Sequence, residues 1–113
     1  IHTNHPNEID RDVGIAIRAL KNSGVVVLNQ SVLLKGINDS AMILKALSEK
    51  LFEIGVMPYY LHLLDKVKGA SHFAVSRQKA KQIMSELLAG SSGYLVPKLV
   101  MEEAGKLSKT LLV

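Results

Sequence analysis

NDSAMILKALSEKLFEIGVMPYYLHLL, Asn38 to Leu64, changes its period in the middle. Ile43, Leu47, Leu51 and Ile54 recur at helical spacing, with Asp39 or Ser40 as N-cap and Gly55 as terminator. Past that glycine comes a short apolar run rich in strand-forming residues, VMPYYLHLL. The same helix, glycine, strand unit lies on either side. In DRDVGIAIRALKNSG, Asp10 to Gly24, the apolar face is Val13, Ile17 and Leu20, Gly24 is the stop, and VVVLNQSVLL follows. In VSRQKAKQIMSELLAG, Val75 to Gly90, Ser76 caps, Ala80, Ile83 and Leu87 face inward, and YLVPKLV follows Gly90. A repeat of roughly thirty to forty residues is the size of a βα unit. The apolar runs are continuous rather than alternating, as in strands buried on both faces of a parallel sheet. An α/β fold of parallel βα units with right-handed crossovers is therefore expected.

A chain of 113 residues, 48% apolar, can bury one modest core, so residues 1–113 are read as one unit. It opens at Ile1, and IHTNH reads like the end of something already under way, so a piece of a longer protein is expected. No run of about 18 apolar residues and no signal-peptide pattern occurs, which predicts a soluble chain with no membrane partner. Cysteine is absent. This chain therefore ligates no iron–sulfur cluster and no thiolate zinc, and a cytoplasmic location is expected. The formal charge is +4. Its lysines are dispersed over the helices (Lys21, Lys45, Lys50, Lys79, Lys81), and the three Tyr and two Phe follow no RNA-binding pattern, so direct nucleic-acid binding is not expected.

In parallel α/β folds, reactive side chains gather beyond the carboxyl ends of strands. Four polar clusters are expected on that rim: His2, Asn4 and His5; Asn29, Gln30 and Ser31; His62 and Asp65; and Glu102, Glu103 and Lys109. Two histidines three apart would suit a metal on a helix, but Pro6 and the Asn residues mark a loop, and no metal site is expected. Asn7 is the candidate cap of the following helix, with His2 or His5 hydrogen-bonded nearby. Burying an amide costs a few kcal/mol unless it is paired, so Asn29, Gln30 and Ser31 either satisfy one another or meet a ligand. Gly36, Asn38 and Asp39 read as turn and cap chemistry. Asp65 at a strand end is either a turn residue or a ligand-binding carboxylate. Lys109 is either a solvated charge or, in a partly dry site, a Schiff-base lysine.

HTNHPNEI, LNQSVLLKGINDS, PYYLHLLDKVKGASHF and SGYLVPKLV…SK, in this order and spacing, resemble the lysine 2,3-aminomutase family of radical S-adenosylmethionine enzymes. The wording of PYYLHLLDKV and SGYLVPKLV is nearer the branch that makes (R)-β-lysine for attachment to elongation factor P. The resemblance covers nearly the whole chain. It implies the C-terminal part of a partial (β/α)6 TIM-like barrel, with the pyridoxal-phosphate lysine in the segment 91–109. It also implies pyridoxal phosphate, S-adenosylmethionine and a 4Fe–4S cluster on an upstream CxxxCxxC loop, so this chain alone is expected to be inactive.

Position by position, Lys109 matches the lysine that holds pyridoxal phosphate. Asp65 matches a carboxylate that receives the ε-ammonium of the substrate L-lysine, and Glu102 falls where free-lysine enzymes have a second such carboxylate, an Asp. His2 and Gln30 match polar groups of the cofactor pocket. Glu at 102, and Gly105, Lys106, Leu107 and Ser108 in place of a glycine-rich approach, depart from the free-lysine pattern and fit the elongation factor P branch. The implied reaction moves the α-amino group of lysine to its β-carbon. A sheet edge left open by missing strands predicts a homo-oligomer. A free-lysine aminomutase and a non-catalytic basic scaffold are the alternative readings.

Overall fold

A computed structural model of the chain describes residues 1–64, 72–102 and 109–112. Three helices form where the apolar periods predict them. In α1 (Arg11–Asn22) the Asp10 carboxylate accepts from the Val13 N–H at 2.9 Å. Asp10, not Asn7, is thus the cap. Ile17 is buried and Val13 packs beside it, but Leu20, expected inward, is 46% exposed. In α2 (Ala41–Glu53) the cap is Ser40, whose hydroxyl accepts from Ile43 N–H, while Asp39 takes the Gly36 N–H instead. The buried stripe is Leu44, Leu47, Ser48 and Leu51, and Ile43 and Ile54 are only half-buried. α3 (Arg77–Gly90) is capped by Ser76 and buries Ala80, Ile83, Met84 and Leu87.

Strands β1 (Val27–Leu33), β2 (Val56–Leu63) and β3 (Lys98–Glu102) lie side by side and parallel, as expected of βα units. A short β4 (Lys109–Leu111) adds to β3 antiparallel, an element the apolar pattern did not announce. The third strand begins at Lys98 rather than Tyr94. Gly93–Leu95 is a 3-10 turn, and Pro97, which cannot donate to a ladder, stands just before the strand. The α2–β2 turn closes at Gly55, where φ is +83° and the Lys21 ammonium donates to the carbonyl at 3.0 Å.

Burial on both faces, expected from the continuous apolar runs, is not what β1 shows. Its residues alternate, with Val27, Asn29, Ser31 and Leu33 buried and Leu28, Gln30 and Val32 exposed or half-buried. The buried face meets the helices. Leu33, Leu61, Leu63 and Leu99 pack with Leu44 of α2 and Ala80, Ile83 and Leu87 of α3. A second cluster joins Ile17, Val27, Leu47, Leu51 and Val56. The opposite face of β1 carries no helix among the described residues.

The first residues of the chain run along the free edge of β1. Gln30 N–H donates to the Ile1 carbonyl at 2.9 Å, the Ile1 backbone nitrogen donates to the Leu28 carbonyl at 2.7 Å, and His2 bridges Gln30 in parallel register. The edge that an isolated β1 would expose is therefore occupied by the chain itself. Side chains complete the ladder. Asn29 Oδ1 accepts from Thr3 N–H at 2.9 Å, and its amide nitrogen donates to the Thr3 carbonyl at 3.1 Å and to Ser31 Oγ at 2.9 Å. Asn4 Oδ1 accepts from Val32 N–H at 2.8 Å. Asn38, fully buried, accepts from Leu34 N–H and donates to the carbonyls of Asn4 and Val32. Asn38 thus does more than turn the chain.

Two outcomes test this architecture. Asn29→Leu keeps the volume but strands the Thr3 N–H in a buried site, so chemical denaturation should show a loss of about 2–3 kcal/mol; a loss below about 0.5 kcal/mol would contradict the role of the amide. The register of β3 and β4 pairs Glu102 with Lys109. Because Leu112 N–H donates to the Leu99 carbonyl at 2.8 Å, alternate positions Val100/Leu111 and Glu102/Lys109 are non-hydrogen-bonded pairs, about 4.5 Å apart at Cα. That spacing admits a disulfide. In residues 1–113, which contain no cysteine, Glu102→Cys with Lys109→Cys should oxidise to an intrachain bridge. The one-residue-shifted pair Glu102→Cys with Thr110→Cys should not.

Candidate functional site

The face of β1 that meets no helix among the described residues holds a polar group in the middle of an apolar strand. Gln30 is half-buried there, and its Oε1 lies 2.8 Å from Nε2 of His62 on β2, also half-buried. The two are not direct register partners, since Gln30 pairs with Tyr60 and His62 with Val32. The bond runs diagonally across the strand pair, a reach open to long side chains.

A bulge makes this contact possible. Asn29 pairs with Pro58, but Gln30 pairs with Tyr60, so Tyr59 is an extra residue in β2. Side chains alternate with a period of 2, so one added residue exchanges the faces of everything beyond it. Without the bulge His62 would share the face of Leu33 in the core. With it, Leu61 and Leu63 fill the core and Tyr60 and His62 stand on the open face. Tyr60 meets the His62 ring edge-on at 6.0 Å and lies against Tyr59 at 4.1 Å between centroids. Lys98 Nζ lies 6.0 Å from the centre of the Tyr59 ring.

His2 joins the same row, since the parallel bridge sets it beside Gln30, and it is exposed. Across the sheet, His62 pairs with Val100, and two positions further on Glu102 pairs with Lys109. The backbone thus brings together two residues seven apart in sequence. Asp65 lies outside the described residues, as does Glu103.

The clusters do not all reach one rim. Asn29 and Ser31 sit on the core face and satisfy each other and Thr3, with Ser31 Oγ donating to the Thr3 carbonyl at 2.6 Å. Of the triplet only Gln30 faces outward. His5 serves the backbone, its Nδ1 accepting from Asn7 N–H at the head of a 3-10 turn, Pro6–Glu8. His62 stood among the rim residues with no role given. Its signal was the alternation in LHLL, which separates one imidazole from flanking leucines. Among the described residues no group of three or more His, Asp or Glu could hold a metal ion, and no helix is long and apolar enough to cross a membrane.

No protein-family model matches the chain. Curated relatives do. A protein named L-lysine 2,3-aminomutase from Haemophilus influenzae is 60% identical over 110 residues, which is 97% of this chain and 32% of the relative. One of the same name from Escherichia coli is 58% identical over 109 residues, 96% of this chain and 32% of its own length. Another from Clostridium subterminale is 41% identical over 109 residues, 96% of this chain and 26% of the relative. The chain spans about a third or less of the length of these relatives. With 60% and 58% identity to two of these relatives over nearly its whole length, the chain belongs to the lysine 2,3-aminomutase family.

Proposed function

We propose that the open face of the sheet is the cofactor and substrate side of a radical S-adenosylmethionine aminomutase that converts L-lysine to β-lysine, and that this chain forms the C-terminal part of a partial (β/α)6 barrel. The observation that carries the reading is the strand register. Positions 2, 30, 62, 102 and 109 fall on one parity of the pleat, opposite the helix-covered core. A barrel closed around that face would enclose them. The relatives' printed name supplies the reaction.

The residues suit pyridoxal phosphate. Such a ligand asks for a primary amine, hydrogen-bond donors for its oxygens and an apolar or aromatic wall. Lys109, the amide of Gln30, the imidazole of His2, and Tyr60 make up that set. Bound there, pyridoxal phosphate supplies an aldehyde for reversible linkage to an amine and a π-system that delocalises an unpaired electron. Lys109 holds it when substrate is absent. Gln30 and His2 orient it from β1 and the neighbouring segment. Asp65 and Glu102 bind the ε-ammonium of lysine through charge-assisted bonds, fixing the end remote from reaction. A radical intermediate reacts with whatever is near, so holding both ends of the substrate is the protein's main contribution. A 4Fe–4S cluster with S-adenosylmethionine would supply the initiating radical; this chain, having no cysteine, would contribute only to the pyridoxal phosphate and lysine sites. Glu at 102 and the segment Gly105–Lys106–Leu107–Ser108 favour the branch that makes (R)-β-lysine for elongation factor P, in a cytoplasmic homo-oligomer. Chiral analysis of the product tests the branch, and the opposite enantiomer would contradict it.

Two measurements on the full-length protein test the residues. Borohydride reduction in the presence of pyridoxal phosphate, followed by digestion and mass spectrometry, should find the pyridoxyl group on Lys109. A label on Lys98 or Lys106, with Lys109→Ala still binding cofactor, would overturn the assignment. Asp65→Asn should lower kcat/KM for lysine tenfold or more, since loss of a charge-assisted bond costs about 1.5–3 kcal/mol. Lys66→Ala, which removes no anionic partner, should not; equal kinetics for the two would remove Asp65 from the site.

A further inference from the structure

A glutamine tip carries an acceptor on one side and two donors on the other, so a site that uses it must decide which end faces the ligand. In this chain the decision is visible. Gln30 Oε1 is taken up by His62 at 2.8 Å. An amide oxygen only accepts, so the imidazole nitrogen facing it carries the proton and donates. The amide is planar. Holding its oxygen against β2 turns its NH2 group away from His62 and leaves those donors for a partner on the open face.

We infer that His62 is a positioning residue: by donating to Gln30 Oε1 it fixes the orientation of the Gln30 amide, so that this point of the site presents N–H donors and selects an acceptor oxygen of the ligand. The inference rests on the reading of the open face as a pyridoxal phosphate site, where the acceptors on offer are phosphate and phenolate oxygens. Three features serve it. The bulge at Tyr59 is what brings His62 to this face. The edge of the His62 ring against Tyr60 restricts its rotation. The backbone of Gln30 is itself held on both sides, by Ile1 and by the pairing with β2.

The test uses the full-length protein and four variants: His62→Phe, His62→Gln, Gln30→Leu and the double variant Gln30→Leu/His62→Phe. Pyridoxal phosphate affinity is read by absorbance titration, with thermal melts followed by circular dichroism as the check on folding. His62→Phe should weaken affinity about fivefold to tenfold. His62→Gln, which can donate to the same oxygen, should return it to within about twofold of the parent. The double variant should bind no worse than Gln30→Leu alone, because His62 acts through Gln30. Additive losses, or no loss in His62→Phe, would overturn the proposal.

A second readout separates this proposal from the reading beneath it. In cofactor-free protein, nitrogen-edited NMR should show the two side-chain amide protons of Gln30 well separated in the parent and in His62→Gln, and collapsed toward free-glutamine positions in His62→Phe. Unchanged signals in His62→Phe would overturn the positioning role, whatever the cofactor does. Parent protein that fails to bind pyridoxal phosphate, yet gives the NMR response, would remove the proposed function and leave the His62–Gln30 coupling standing. Should His62→Phe fail to fold, the His62→Gln signals still decide, since a free-glutamine pattern there would contradict the claim.

Discussion

The amide of Asn29 takes the place of a peptide group. It accepts from the N–H of Thr3 and donates to the carbonyl of the same residue, which is what a neighbouring strand would do. Its remaining donor goes to Ser31, whose hydroxyl returns to Thr3. Each such bond is worth only about 1 kcal/mol net, but leaving any of these groups unpaired in the core would cost more. The consequence is positional. A segment of a few residues is laced to β1 in one register, Asn4 and Asn38 tie the following turn to the end of that strand, and His2 comes to rest beside Gln30.

From that alignment the two faces of the sheet acquire different jobs. One is closed by leucines of the strands against α2 and α3. The other holds Gln30, Tyr60 and His62, and in register with them the paired positions Glu102 and Lys109. The single extra residue at Tyr59 maintains the division, since it delivers Leu61 and Leu63 to the core and His62 to the opposite face. A short apolar strand therefore carries an imidazole without burying it among aliphatic side chains.

Much of the fold was legible in the chain. The helical periods and the glycines at 24 and 55 marked the βα units, because both signals are local and physically strict. Facing was harder. The runs around Leu28, Val32 and Leu64 look uniformly apolar, and nothing local reveals that β1 alternates while Leu99, Val100 and Met101 of β3 are all buried. In the same way Asn29, Gln30 and Ser31 read as one cluster. Adjacent residues of a strand point oppositely, so the triplet divides into two structural groups and one outward-facing amide. Pro58, inside a strand with neighbours on both sides, was the one local sign of a bulge, but it does not say that Tyr59 is the extra residue. The closeness of positions 102 and 109 depends on a hairpin register that no apolar pattern encodes. His2, Gln30, His62, Glu102 and Lys109 all stand in the rim clusters read from the strand ends; resemblance gives roles to the other four, whereas a role for His62 needed the geometry.

If side-chain amides complete the pairing of the first segment with β1, the N–H groups that donate to them should be as protected as those of a strand interior. Amide hydrogen exchange reports this residue by residue. The N–H groups of Thr3 and Val32, which donate to Asn29 and Asn4, should exchange about as slowly as that of Ser31 within β1. Exchange as fast as at exposed Val25 and Val26, just ahead of the strand, would mean that the lacing is not formed in solution and that His2 is not held beside Gln30.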